Sequence, residues 1–319
     1  MNKNKFYSFI KVSVLLISLF FLFENSKENY KTVLIKINFD IQIIFSSILL
    51  VIIIQNLLNI RSFYFLNLTS KYNANFSEWS SLFYLTGLIN HSPFWGAGHI
   101  LRSYEMKKNN YSHKEYVNMY IFIFFWGTLV YSSLLILPSF FLIEFNSYIS
   151  TILLILFILS LIVTSKITLK YCVKILNHLN LFKFIKNNKF SNYLSKELLK
   201  MAKLSALVSN KKVFFNFFFF TLLLICFEYS LFNLIFKFLF KAIDPSVIFL
   251  FFLSNFLIRM VKPIDNIIGF KETILGLYGQ QLGLLFLEGA LIVMIWRLLG
   301  LISLIINYII YYVINKFSY

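Results

Sequence analysis

The sequence predicts an all-α fold, a polytopic integral membrane helix bundle of about eight spans, or seven, forming a single membrane domain over residues 1–319. Three observations predict it. The chain is 59% hydrophobic and 13% charged, about half the charge of a soluble globular domain. Its apolar residues come in runs long enough to cross a bilayer rather than in short amphipathic stripes. Finally, eight of the ten glycines fall in two short stretches, one in each half of the chain. These predict two Gly/Pro-broken re-entrant segments.

Taken in order, Lys3, Lys5 and Lys11 precede the apolar run Val12–Phe23, as in a signal peptide. The run ends at Glu24-Asn25-Ser26-Lys27, with no small-residue cleavage site, so an uncleaved anchor spanning about 7–23 is expected. Further spans are expected at 41–58, 116–138, 148–168, 213–236 and 246–261. The apolar stretch 282–314 exceeds one perpendicular span and is expected to break near Gly300 into two helices, which makes eight.

Lysine placement sets the expected orientation. Residues 166–212 hold eleven Lys and one acid, Glu197, and are expected to form a basic cytoplasmic loop with amphipathic helix at the membrane surface. Alternation puts the N-terminus on the same side and the balanced loop 24–40 outside. Part of the net charge of +17 reflects a Lys-, Asn-, Ile- and Phe-rich composition typical of AT-rich coding. No folded basic domain is present to bind nucleic acid, and none is expected as a partner.

The first glycine stretch holds Gly87, Gly96 and Gly98 around Pro93; the second holds Gly269, Gly276, Gly279, Gly283 and Gly289 after Pro263. Irregular backbone survives at membrane depth only where protein or a water-filled cavity covers it, so both stretches are expected to line one cavity. Ordinary loops also collect Gly and Pro, which is the plain alternative.

Only four arginines accompany 26 lysines, and all four lie in or beside apolar segments: Arg61, Arg102, Arg259 and Arg297. Arg61 and Arg259 read as interfacial side chains reaching toward water. Arg102 and Arg297 read as guanidinium forks for phosphate or carboxylate. Glu228, Glu272 and Glu288 are candidate intramembrane charges, because burying a carboxylate is costly; a plain alternative puts Glu228 near the interface with Lys237. No ATP-binding, zinc-hydrolase or serine-hydrolase motif occurs, and no Asp-rich Mg²⁺ motif. Cys172 and Cys226 are unpaired, and His91 and His99 lack metal-ligand spacing. No metal or cofactor is expected.

Four elements occur in order: Arg61-Ser62-Phe63-Tyr64-Phe65-Leu66; Asn90…Pro93…Gly98-His99-Ile100-Leu101-Arg102; Pro263…Gly269-Phe270-Lys271-Glu272; and Trp296-Arg297-Leu298-Leu299. Together they resemble the lysylphosphatidylglycerol synthase transmembrane region, or flippase-like membrane domain, over about residues 5–315. The resemblance implies a multi-pass bacterial inner-membrane protein that moves an anionic phospholipid or a polyprenyl-linked sugar between leaflets. It points to Asn90, Pro93, Gly98, Arg102, Gly269, Glu272 and Arg297 as the substrate-binding set. His99 departs from the acid common after that glycine, and the second element is poorer in glycine. The soluble aminoacyl-transferase domain of the two-domain synthases is missing, so lysyl transfer is not expected. The alternative function is a membrane-embedded transferase or an accessory subunit in envelope lipid or glycan synthesis.

Overall fold

The computed structural model describes residues 40–69, 75–91, 97–108, 111–141, 147–164, 210–240, 243–260 and 269–317, with the single positions 20, 24 and 33. Nearly all of the expected span 7–23, of the loop 24–40 and of the basic segment 166–212, and Pro93 and Pro263, lie outside the described residues.

Among the described residues every regular element is helical. The helices are α1 (Ile41–Thr69), α2 (Phe76–Asn90), α3 (Ala97–Lys108), α4 (His113–Phe141), α5 (Ser147–Thr164), α6 (Lys211–Leu239), α7 (Pro245–Met260), α8 (Phe270–Gln281) and α9 (Phe286–Phe317). Three of them, α1, α6 and α9, are long and apolar enough to cross a membrane.

The starts of the apolar helices are written in their caps. Asp40 Oδ1 accepts the Gln42 N–H of α1 at 2.8 Å. Asn210 Oδ1 accepts Lys212 N–H of α6 at 3.1 Å, and Asp244 Oδ1 accepts Ser246 N–H of α7 at 2.8 Å. Each cap satisfies a first-turn donor that has no partner inside the helix. Pro245 follows at the first helical position of α7, where a missing N–H costs nothing.

The helices outrun the apolar runs that predict them. α1 continues through Arg61 to Thr69, and α4 begins at His113. Polar side chains at these ends do not interrupt backbone bonding, so hydropathy underestimates helix length. The expected break at Gly300 does not occur: α9 runs unbroken from Phe286 to Phe317, 32 residues. One glycine costs a helix only about 1 kcal/mol, and no proline accompanies it. The eighth expected span, which required that break, is therefore not a separate helix.

The chain divides into two compact units, each discontinuous in sequence: 1–56, 77–100 and 226–319 form the first, and 57–76 and 101–225 the second. In the second, α4 and α5 pack as neighbours. Phe65 stacks on Phe122 at 5.4 Å and meets Phe217 edge-on at 5.3 Å, and Phe214 meets Trp126 at 5.3 Å. Asn216 Nδ2 donates to the Tyr64 hydroxyl at 3.0 Å. Arg61 Nη1 donates to Thr221 Oγ1 at 3.3 Å, so this guanidinium faces another helix rather than reaching for water, contrary to the sequence expectation.

In the first unit, Tyr229, Phe232 and Phe236 of α6 interleave with Phe249, Phe251 and Phe252 of α7. Asn56 ties α1 to α2 and α9. Its Oδ1 accepts from Tyr84 at 2.9 Å and Tyr311 at 3.3 Å, and its Nδ2 donates to Asn307 Oδ1 at 2.8 Å and Ile52 O at 2.9 Å. Hydrogen bonds and close packing, rather than expulsion of water, are what hold helices together in lipid.

α8 and α9 form a hairpin whose contact surface is glycine. A Cβ on Gly289 would lie 2.8 Å from Leu275 O, and one on Gly276 would lie 2.9 Å from Phe286 O. Gly283, in the turn, has φ 84°, a conformation in which a side chain would be strained. α8 also packs against α7.

Candidate functional site

The site is built where α8 begins. Gly269 precedes α8 with φ 87°. Its N–H donates to Glu272 Oε2 at 2.9 Å, and its carbonyl accepts from Thr273 Oγ1 at 2.7 Å. Glu272 is thus fixed as an acid in the first helical turn, where the helix dipole favours negative charge. Its other oxygen, Oε1, pairs with Arg297 Nη1 of α9 at 3.0 Å.

A second ion pair joins α6 to α7. Arg259 Nη1 lies 3.0 Å from Glu228 Oε1, and the carboxylate is almost fully buried. Between the pairs stands Trp296. The Arg259 guanidinium carbon lies 5.4 Å from its ring centroid and Lys271 Nζ 4.7 Å, both within cation–π range. Neighbours in sequence therefore meet neighbours in sequence: Lys271 takes Trp296 while Glu272 takes Arg297. Lys271 has no exposed surface.

Six side chains from four helices thus form one cluster of three cations, two carboxylates and an indole. Two charges taken out of water lose several kcal/mol of hydration each, so such pairs need close geometry to survive. In a membrane helix they mark substrate or ion pathways.

One turn before Arg259, Asn255 is 1% exposed, and among the described residues neither its Oδ1 nor its Nδ2 has a hydrogen-bond partner. Residues four apart share a helix face. Phe252, three positions earlier, packs on Tyr229 and Phe232 of α6, the helix that carries Glu228.

Asn90 links α2 to α3. Its Oδ1 accepts the Gly98 N–H at 3.0 Å, capping α3 from the last residue of α2. A Cβ on Gly98 would lie 1.9 Å from Thr86 O, so only glycine fits. Arg102 is 5% exposed on α3 and hydrogen-bonds the Tyr116 side chain of α4. Ser103 hydrogen-bonds His113.

The sequence-predicted residues have these roles among the described residues. Glu228, Glu272 and Arg297 stand in the cluster, with Gly269 at its edge. Asn90 and Gly98 make a helix junction. Glu288 caps α9 by accepting Leu285 N–H at 2.8 Å. Pro93 is outside the described residues. Arg259 corrects the interfacial reading: its head pairs with Glu228 and stacks on Trp296. The partner of Glu228 is likewise Arg259, not Lys237. Sequence reasoning places Lys271 and Trp296 in motif elements without giving either a role, and misses Asn255, since nothing in local sequence says which neighbours helix packing will supply. The one available signal is an acid and an arginine in separate apolar runs.

No protein-family model, curated protein or solved structure matches the chain.

Proposed function

We propose that this chain translocates a phosphate-bearing lipid, a phospholipid or a lipid-linked saccharide, between the leaflets of a bacterial inner membrane. The observation that carries the reading is the pair of Arg–Glu bridges meeting at Trp296 among four packed helices, two of them long and apolar enough to cross a membrane. Moving a headgroup through about 30 Å of hydrocarbon needs fixed charges along the way. An arginine already paired with a carboxylate is neutralised between substrates, and its planar fork can exchange that carboxylate for phosphate.

Two further features support it. The twelve residues of α8 extend about 18 Å at 1.5 Å per residue, short of the hydrocarbon thickness. We read α8 as a re-entrant helix whose start, with Glu272, lies at membrane depth and whose far end turns back into α9. The four ordered elements, which include Arg61, Arg102, Glu272 and Arg297, resemble the flippase-like membrane domain, and Arg102 is read as a further phosphate contact. The N-terminus and the 166–212 loop are read as cytoplasmic.

The test is reconstitution of the purified protein in vesicles holding a fluorescent phospholipid or lipid-linked saccharide, with an impermeant quencher reporting leaflet exchange. Wild type should exceed empty vesicles. Arg297→Lys and Arg102→Lys keep the charge but lose the fork, and should slow exchange roughly tenfold. Exchange at the empty-vesicle rate for every lipid offered would refute the proposal. Unchanged rates in both variants would remove the fork from it.

A further inference from the structure

We propose that Asn255 determines headgroup specificity, by hydrogen-bonding a hydroxyl carried beside the lipid phosphate. The inference rests on the lipid-binding reading of the Trp296 cluster and names what that site selects.

Asn255 lies in the most deeply buried stretch of α7, with Phe251, Phe252, Leu253 and Phe256 around it in sequence. Most polar side chains buried elsewhere in the unit have partners. Asn56 satisfies its amide across three helices, and Asn307 bonds both Asn56 and Ser303. Asn255 has neither donor nor acceptor matched among the described residues. A leucine at this place would suit the fold better, because an unmatched buried amide is a net loss to stability. Such a group is retained where a ligand completes it.

Its chemistry narrows the ligand. A primary amide offers two donors and one acceptor oxygen. An ionised phosphodiester only accepts, so it can use the amide N–H groups and leaves the oxygen unmatched. A hydroxyl both donates and accepts. Arg259, one turn on, supplies the charge for the phosphate, and Asn255 stands one turn away for the alcohol beyond it. The class selected is a polyol phosphodiester lipid, whose polyol is either a small alcohol or a sugar-like ring.

The experiment measures lipid retention by the purified full-length protein in mild detergent, using native mass spectrometry. Three probes share one phosphodiester charge: phosphatidylmethanol, phosphatidylglycerol and phosphatidylinositol. Wild type is expected to hold at least one hydroxylated lipid about tenfold more tightly than phosphatidylmethanol, the effect of roughly one to two matched hydrogen bonds. Which one is favoured distinguishes the small alcohol from the ring. In Asn255→Leu that ratio should fall to about one, with thermal stability unchanged or raised. If Asn255→Leu does not fold, Asn255→Ala makes the same comparison without added bulk. Equal retention of all three lipids by wild type, or an unchanged ratio in the variant, would overturn the assignment. The expected ratios with no leaflet exchange in vesicles would sink the translocator and leave this assignment standing.

Discussion

Glu272 and Arg297 are joined at 3.0 Å through one carboxylate oxygen, while the other oxygen holds the Gly269 N–H at 2.9 Å. One side chain therefore starts a helix and fixes a partly buried cation. The two roles can be separated, because glutamine keeps the amide-accepting oxygen and loses the charge.

Glu272→Gln is expected to destabilise the protein, at the lower end of the about 3–5 kcal/mol seen when one partner of a buried pair is removed. Arg297 retains 16% side-chain exposure, which softens the loss. Glu272→Gln combined with Arg297→Met should recover most of it, because no charge is then left unpaired. Thermal midpoints in detergent for the wild type, both single variants and the double variant complete the cycle. Strict additivity would mean that the pair contributes no coupling.

Gly289→Ala and Gly276→Ala should each lose about 1–3 kcal/mol, since the new methyl at 289 meets backbone alone and that at 276 meets both the ring and the carbonyl of Phe286. Gly300→Ala adds a methyl where nothing lies within 4 Å. It should gain up to about 1 kcal/mol from helix propensity. Equal effects at positions 289 and 300 would deny the close approach of α8 and α9.

Asp244 sits outside α7 and caps it. The Ser246 N–H bond holds its carboxyl below the ordinary aspartate range. A carboxyl depressed on folding stabilises above its unfolded value, near about 3.9, and that contribution is lost as pH falls through the lower folded value. Amide-exchange protection at Ser246 and Val247 should therefore decline from pH 5 toward pH 3. Asp244→Asn keeps an acceptor without the titration and should show no such decline. The same decline in both proteins would exclude Asp244 as its cause.

Orientation is tested by labelling single cysteines in a background with Cys172 and Cys226 replaced by serine. In spheroplasts, an impermeant maleimide should reach Asn29→Cys, and should reach Phe190→Cys only after lysis. Labelling of Phe190→Cys from outside would invert the topology.

Helix positions were legible because lipid-facing helices announce themselves by composition. The runs 41–58, 213–236 and 246–261 lie within α1 and α6 and almost wholly within α7. α2 and α8 were not legible as helices, because Ser, Thr, Gly and Gln dilute their apolar content. The arginine scarcity did point to Arg297. Pairing was another matter: Glu228 and Arg259 are 31 residues apart, and only packing of α6 on α7 brings them together. Gly276 and Gly289 signalled a break in the sequence, whereas in the fold they are contact points between regular helices. A glycine that turns the chain and a glycine that admits a neighbour look the same until the neighbour is known.

The glycine seam has a mechanical consequence. Side chains can yield by changing rotamer, but two backbones in contact have no such freedom. The α8–α9 hairpin therefore resists shear along its seam and holds Lys271, Glu272, Trp296 and Arg297 in fixed register. The contact of the Trp296 indole with the Arg259 guanidinium of α7 is made by side chains instead, which can re-form in another rotamer.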